Sequence, residues 1–495
     1  MASRSLPAIL RRLVDFPVVV MAIGMVGLLV RTIGPRLSFP YDLEWMEGGM
    51  LAHAARVAEG SPLYVLPSEG FIPFIYPPLY PWLVGGLSAL GLPLDYPLGR
   101  MISLVGVLAA AIVLVFIVRR EGGSWSIGVG GAALFLSTYD SSGAFFDLVR
   151  NDGLQIGLLA SALLSVRTGW IRTGGLLLTA AFLTKHTAAL YGLPALWWLH
   201  SHQGWPQAKQ FILYSVVPAL LMTAGLTWVS DGLFLTYILD VPSDHPFVFE
   251  RFIWTAPKEL VVALPWTFAL IVLTAVISRR AVSRGARFWL LQGAVAILLS
   301  AVMRGHHGGF LNVLIPGLWT MALWAALSVC TLRNRWPSMS VGVVTASLIA
   351  WQIWSGRWSP ATYTPTEADR AAGDSVVAQL RAIDGPILAP WQPWMPVQAG
   401  KAPSIALIAL WDIDHKGGAL HTEAKVIANG IAEHRWAAVL TARSNLKRGL
   451  KKYYRRGEFE RPRGKALYPK TGWKVRPHAL WFPKTGTVET PAARD

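Results

Sequence analysis

Three carboxylates, Asp42, Glu44 and Glu47, fall within six positions of the stretch FPYDLEWMEGGM. A carboxylate can take a proton from an attacking hydroxyl or hold a divalent ion. Glu44 and Glu47 are three residues apart, so they share one face if LEWMEGGMLAHAARVAEG is helical. Asp42 precedes that stretch, where an acid also serves as a helix cap. A second set of residues is cationic: Arg100 in LGR, Arg150 in FFDLVRNDG, Lys185 and His186 in LTKHTAAL, and Arg304, His306 and His307 in VMRGHHGGFLN. Arg and Lys give charge-assisted bonds to phosphate oxygens. Taken singly, each cation has a plainer use, either reaching to lipid headgroups or pairing with a nearby acid such as Asp147 or Asp152 beside Arg150. The adjacent His306 and His307 point in different directions and show no third ligand for a zinc site. His53 reads as a packing residue.

The elements that must position these groups are apolar. The chain has 495 residues, of which 53% are hydrophobic and 15% charged, with 23 Trp. Soluble domains carry about 25% charged residues, so this composition indicates a multi-span α-helical membrane protein. The apolar stretch near the start is long and no small-residue cleavage site follows it, so it is expected to be a retained first span. Eleven apolar segments are expected to span, several of them short: about 13–33, 98–118, 125–141, 153–167, 174–186, 188–200, 211–229, 259–278, 288–303, 312–332 and 339–355. Segment 76–92 is apolar but short and begins with Pro77, Pro78 and Pro81, which suits a helix lying along the interface. With that segment uncrossed, the loops holding Arg119/Arg120, Arg167/Arg172, Arg279/Arg280/Arg284/Arg287 and Arg333/Arg335 share the side of Arg11 and Arg12, as the positive-inside rule requires.

That topology divides the chain into a transmembrane unit, 1–355, with a large first outer loop at 34–97, and an extracytoplasmic unit at 356–495. In the latter, PTEADRAAGDSVVAQLRAI and HTEAKVIANGIAEHR have helical spacing, GPILAPW and WAAVLTA read as strands, and RSNLKRGLKKYYRRGEFE reads as a basic helix. A small α/β domain is expected there. The net charge of +17 follows from basic cytoplasmic loops and, without a binding motif, does not indicate nucleic acid. The single Cys330 excludes disulfides and Cys-built metal sites.

Acids and outward cations on one face describe a site where a lipid-linked phosphate leaves. The sequence resembles the GT-C glycosyltransferases over about residues 10 to 355, in particular family 39, the branch of protein mannosyltransferases and aminoarabinose transferases. The carriers are the acidic loop running into GGMLAHAARVAEGSPLY, then YPPLYPWL, LGRMISLVGVLAAAIVLVFIVRR, RNDGLQIGLLASALL and FLTKHTAALYGLPALWWL. The resemblance implies an inverting transfer of sugar from a polyprenyl-phosphate donor to a lipid, glycan or protein acceptor, at the outer face of the cell (inner) membrane. It implies catalytic roles among Glu47, Glu44 and Asp42. Asp152 and Arg100 match positions that the family places around the donor phosphate and acceptor, and Lys185 follows the pattern less tightly. Arg150, His186, Arg304 and His306 join them as outward cations suited to phosphate, and a divalent metal ion held by the acids is an optional cofactor. The family's acidic pair is usually Asp-Glu; counting back from Gly60 sets Glu47 at the Glu position and Met46 where Asp is expected. A non-catalytic relative serving as carrier or assembly protein, or a transporter, is the competing reading.

Overall fold

The computed structural model describes residues 8–277, 284–443, 446 and 449–484. The connection carrying Arg279 and Arg280 lies outside the described residues. The membrane unit is helical throughout. Among the described residues, five helices are each long and apolar enough to cross a bilayer: Arg12–Leu37, Tyr96–Arg120, Trp205–Val229, Gly285–Gly305 and Leu311–Arg335. The number rises to seven if two bent helix pairs each count as one span. Other apolar helices, such as Trp125–Leu136 and Ile171–Thr184, are shorter. The eleven-span count therefore rests on helices that do not reach spanning length individually.

Segment 259–278, expected as one span, is broken. Helices Arg251–Ala263 and Pro265–Ile277 meet at 98°. The cause is local: Pro265 disfavours helical backbone at the residue before it, and Leu264 sits at φ −137°, ψ 58°. The freed Trp266 N–H then donates to Gln352 Oε1 at 3.0 Å.

Close helix packing brings the candidate residues together. Helices Tyr96–Arg120 and Asn151–Thr168 touch through glycines. A Cβ at Gly106 would stand 2.2 Å from the Gly153 carbonyl oxygen, and one at Gly157 would stand 2.5 Å from that of Gly106. Only small residues permit backbones to approach so closely. This contact sets Arg100, near the start of one helix, beside Arg150 and Asp152 at the start of the other. Ser103 Oγ ties the two by donating to the Arg150 carbonyl at 2.7 Å.

The segment between helices Arg12–Leu37 and Tyr96–Arg120 forms helices Glu47–Ala58 and Leu79–Ala89, the second matching the short helix expected within 76–92. They pack tightly: a Cβ at Gly85 would stand 2.4 Å from the Ala54 carbonyl oxygen.

After helix Met339–Ser355 the chain builds the α/β unit expected from its pattern. Helix Glu367–Arg381 starts with a capping box between Thr366 and Asp369. Strands β1 (Ile387–Leu388), β2 (Ala438–Thr441), β3 (Tyr454–Arg456) and β4 (Ala479–Pro483) form one sheet in the order β1-β2-β4-β3. β1 and β2 are parallel and the other pairs antiparallel. Among its described residues, the basic stretch expected as a helix is helical over Leu450–Tyr453 and then turns into edge strand β3. Aromatic Tyr453 and Tyr454 suit a strand, and exposed Arg455 and Arg456 protect a sheet edge from pairing with another chain.

The unit packs directly on the acidic loop. Tyr41 lies against Gly373, Trp394 against Gly48, and Ala406 against Gly49.

Candidate active site

Glu47 opens the first loop helix and is fully buried. Arg100 grips it with two parallel bonds, Nε to Oε1 at 2.9 Å and Nη2 to Oε2 at 2.7 Å. The backbone N–H of Val149 donates to Oε1 at 2.8 Å and that of Leu43 to Oε2 at 2.6 Å. Arg100 also donates to the carbonyls of Arg36, Phe39 and Tyr41. Every strong acceptor direction of Glu47 and all of the Arg100 nitrogens are occupied. The pair is a rivet joining the outer loop to helix Tyr96–Arg120, and neither member is free to meet a proton or a phosphate.

Asp42 also serves the helix start. Its Oδ1 accepts from the Gly48 N–H at 2.9 Å and from Tyr96 Oη at 3.0 Å, while its buried Oδ2 makes no hydrogen bond. Burial, reinforced by Glu47, raises its pKa well above the usual carboxylate range.

Glu44 is placed differently. It is 2% exposed, yet it accepts only the Met46 N–H, at 3.2 Å, and its Oε2 stands 3.5 Å from Arg150 Nη1. Burial pushes its pKa up to about 7; Arg150 opposes that shift and Glu47 adds to it.

Arg150 is the centre of the remaining group. Nη1 contacts Met46 Sδ at 2.6 Å and Nη2 donates to Tyr76 Oη at 3.3 Å. Nε lies 4.0 Å from Asp152 Oδ2, and both of those buried atoms lack a hydrogen bond. Asp152 Oδ1 receives Lys185 Nζ at 2.8 Å and Asn312 Nδ2 at 3.0 Å. Next to Lys185, His186 keeps a buried Nδ1 without a partner. Buried polar atoms are nearly always bonded, so this concentration of open donors and acceptors marks a place built for something else to bind.

The pairing of Arg150 with Asp147 does not occur. Asp147 instead holds Arg36, Oδ2 to Nε at 2.5 Å and Oδ1 to Nη2 at 3.0 Å, a second buried rivet. Arg304 likewise stands apart from the phosphate-binding group. Its Nε and Nη2 each donate to Glu259 at 2.8 Å, and Nη1 donates to the Gly309 carbonyl at 2.8 Å. His306 meets a histidine from another loop, Nε2 lying 3.2 Å from His245 Nδ1. His245 Nε2 reaches the Asp412 carbonyl at 2.9 Å, and its ring meets His415 at a tilt, with centroids 4.8 Å apart. Burial lowers the pKa of both His245 and His306.

Sequence reasoning missed Tyr76, Asn312 and Asp412. Asn312 stands in the quoted GGFLN and Tyr76 opens YPPLYPWL, but neither type signals chemistry alone. Asp412 comes from the α/β unit. Burial raises its pKa to about 7, and Arg150 draws it down.

The acids do not form a metal cage. Asp42, Glu44 and Glu47 bind different partners, and among the described residues no group of three or more His, Cys, Asp or Glu is arranged to hold an ion.

A seal covers the site. The Lys470 and Thr471 N–H groups donate to the Leu43 carbonyl at 2.8 and 3.1 Å, and a Cβ at Gly472 would stand 3.0 Å from both Glu44 Cγ and Oε1. With φ at +68°, that position favours glycine twice over.

No family model matches the sequence, and neither does any curated protein. Solved structures do. ArnT from Cupriavidus metallidurans bound to undecaprenyl phosphate superposes with a TM-score of 0.60 at 13% identity, over 94% of this chain and 97% of that one. The same protein in its apo state gives 0.54 at 15% identity, over 78% and 85%. The Archaeoglobus fulgidus oligosaccharyltransferase in the apo form gives 0.52 at 10% identity, over 87% and 70%. This chain has the fold of the GT-C glycosyltransferases.

Proposed function

We propose that this membrane protein is an inverting glycosyltransferase that moves a sugar from a polyprenyl-phosphate donor to an envelope acceptor at the outer membrane face. One observation carries the reading: Glu44, a nearly neutral-titrating carboxyl with one long hydrogen bond, faces Arg150 beside buried, unsatisfied Arg150 Nε, Asp152 Oδ2 and His186 Nδ1. The ArnT structure that shares the fold contains undecaprenyl phosphate, a ligand whose phosphate suits Arg150 and Lys185.

In this mechanism Glu44 accepts the proton of the acceptor hydroxyl while that oxygen attacks the sugar C1. The new O–C1 bond forms as the bond from C1 to the phosphate oxygen breaks, and the electron pair stays on the carrier phosphate. Arg150 and Lys185 take up the charge developing on that phosphate, a role commonly worth a few kcal/mol per donor. Asp152 and Asn312 hold Lys185 in line, and the Glu47–Arg100 pair fixes the loop that presents Glu44. A base with a pKa near the working pH is the effective kind.

Mass spectrometry of envelope glycans and lipids tests the reading in a deletion strain carrying either the wild-type chain or Glu44→Gln. The expected outcome is a sugar modification lost on deletion, restored by the wild type and not by Glu44→Gln. Identical envelopes in wild-type and deletion strains would refute it.

A further inference from the structure

Three tryptophans meet at the seam between the first outer loop and the α/β unit. Trp45, Trp411 and Trp473 are in mutual contact, with ring centroids 6.1, 5.3 and 5.2 Å apart. A core cluster of this size would be hidden, but Trp411 is 42% and Trp473 38% exposed. Their position is specific. Trp45 directly follows Glu44, and a Cβ at Gly472, next to Trp473, would touch both the Glu44 side chain and Trp45 Cδ1 at 3.4 Å. Trp411 precedes Asp412, whose field reaches Arg150.

We propose that the Trp45–Trp411–Trp473 cluster is the acceptor subsite and that its ligand is a pyranose ring, so that the acceptor is a glycan. This rests on the transferase reading above. The face of an indole is electron-rich and attracts the weakly positive C–H groups that one side of a pyranose presents. Indole is also rigid, so little conformational freedom is lost on binding. Exposed Lys474 follows Trp473 in the chain; its ammonium donates to the Pro469 carbonyl at 2.6 Å and keeps further N–H groups for a hydroxyl at the sugar's edge, while Asp412, which follows Trp411, stands 3.8 Å from His245 Nε2. A ring stacked here lies one residue from Glu44, which places its hydroxyl at the base once the Gly472 seal shifts. Tryptophan also gathers at membrane interfaces. The continuity of this cluster with a catalytic carboxylate and its charged flanks favour a sugar over lipid.

The test is oxidative footprinting of the wild-type chain in nanodiscs, read tryptophan by tryptophan, so no variant has to fold. The probe is the mixture of soluble oligosaccharides released by mild acid from the envelope of the source cells. At ten times the dissociation constant, binding should slow oxidation of Trp411 and Trp473 about tenfold by mass action, with distant exposed Trp228 unchanged. Unaltered oxidation of the two would overturn the subsite. So would oxidation that is fast in detergent and already suppressed in glycan-free nanodiscs, which marks a lipid anchor. Undecaprenyl phosphate binding to the same sample is measured in parallel. Carrier binding without protection removes the subsite and leaves the transferase reading intact, whereas protection without carrier binding keeps a glycan site and removes the transferase.

Discussion

Glu44 and Glu47 are three residues apart and chemically alike, yet their amides should behave in opposite ways. In Glu47→Gln, one carboxylate oxygen becomes an NH2 group. Oε1 faces Arg100 Nε and the Val149 N–H, and Oε2 faces Arg100 Nη2 and the Leu43 N–H. Either orientation therefore points the new NH2 at two donors, and leaves the Arg100 guanidinium buried without a counter-charge. Breaking a buried pair from one side costs about 3–5 kcal/mol, so this variant should unfold at markedly lower temperature and accumulate poorly. In Glu44→Gln, the oxygen that receives the Met46 N–H is retained and the NH2 can take the other side. The structural loss is the 3.5 Å ion pair with Arg150, which keeps Asp152 at 4.0 Å, so it is smaller than the loss of the bidentate Glu47–Arg100 pair. The loss of a general base slows turnover about 10² to 10⁴-fold. Thermal unfolding in detergent and transfer to envelope acceptor, measured on the same preparations, separate the two. A stable but inactive Glu47→Gln beside an active Glu44→Gln would return the base to Glu47 and refute the reasoning.

Turnover should rise with pH through about 7 as Glu44 ionises, and Glu44→Gln should lack that limb while Asp412→Asn keeps it. The stability term has the opposite sign: a carboxyl whose folded pKa is raised from 4.5 to about 7 contributes fully below 4.5 and loses that contribution as pH climbs through 7. Arg150→Ala and Lys185→Ala should each weaken undecaprenyl phosphate binding by about 1.5–3 kcal/mol, the range for bonds to a charged group; normal binding by both would move the phosphate site elsewhere. Arg304→Ala and Glu259→Gln should lower thermal stability non-additively, by a coupling of about 0.5–3 kcal/mol, without changing carrier affinity. A reporter fused after Gly356 should be extracytoplasmic and one at Gly122 cytoplasmic; a cytoplasmic tail would put the site on the other face.

Hydropathy was enough to read a helical membrane protein, because lipid imposes composition on whole segments. The capped helix Glu367–Arg381 and strands β1 and β2 were legible for the same kind of reason, since periodicity is local. The break at Leu264 was also written locally, in the Leu-Pro step, but a hydropathy window averages over it. Roles within the site were not legible, because they depend on which partner fills each acceptor direction. Arg304 looked like an outward cation until Glu259, distant in sequence, took both of its faces. Arg150 had Asp147 and Asp152 as neighbours in the chain, but Arg36 claimed Asp147, leaving Arg150 short of bonds.

That competition explains how one site can hold five acids and still keep a base. Arg36 and Arg100 are saturated by Asp147, Glu47 and backbone carbonyls, so the oxygens of those two acids are already taken by donors. Arg150 is offered Glu44, Asp152 and the field of Asp412, but meets none of them closer than 3.5 Å. A buried carboxyl with a distant counter-charge is poised between its two forms, whereas one in a tight bidentate pair is not. Met46 contributes to this arrangement. An Asp at that position would stand where the thioether now touches Arg150 Nη1 and would pair with it closely. Met46→Asp should therefore draw Arg150 away from Glu44, depriving Glu44 of its one opposing cation and raising its pKa further. The pH limb of turnover should move upward in that variant, with carrier binding weakened as Arg150 becomes neutralised. A limb that moves downward, or a variant that outperforms the wild type at neutral pH, would show that Met46 is a defect in the site and not part of its tuning.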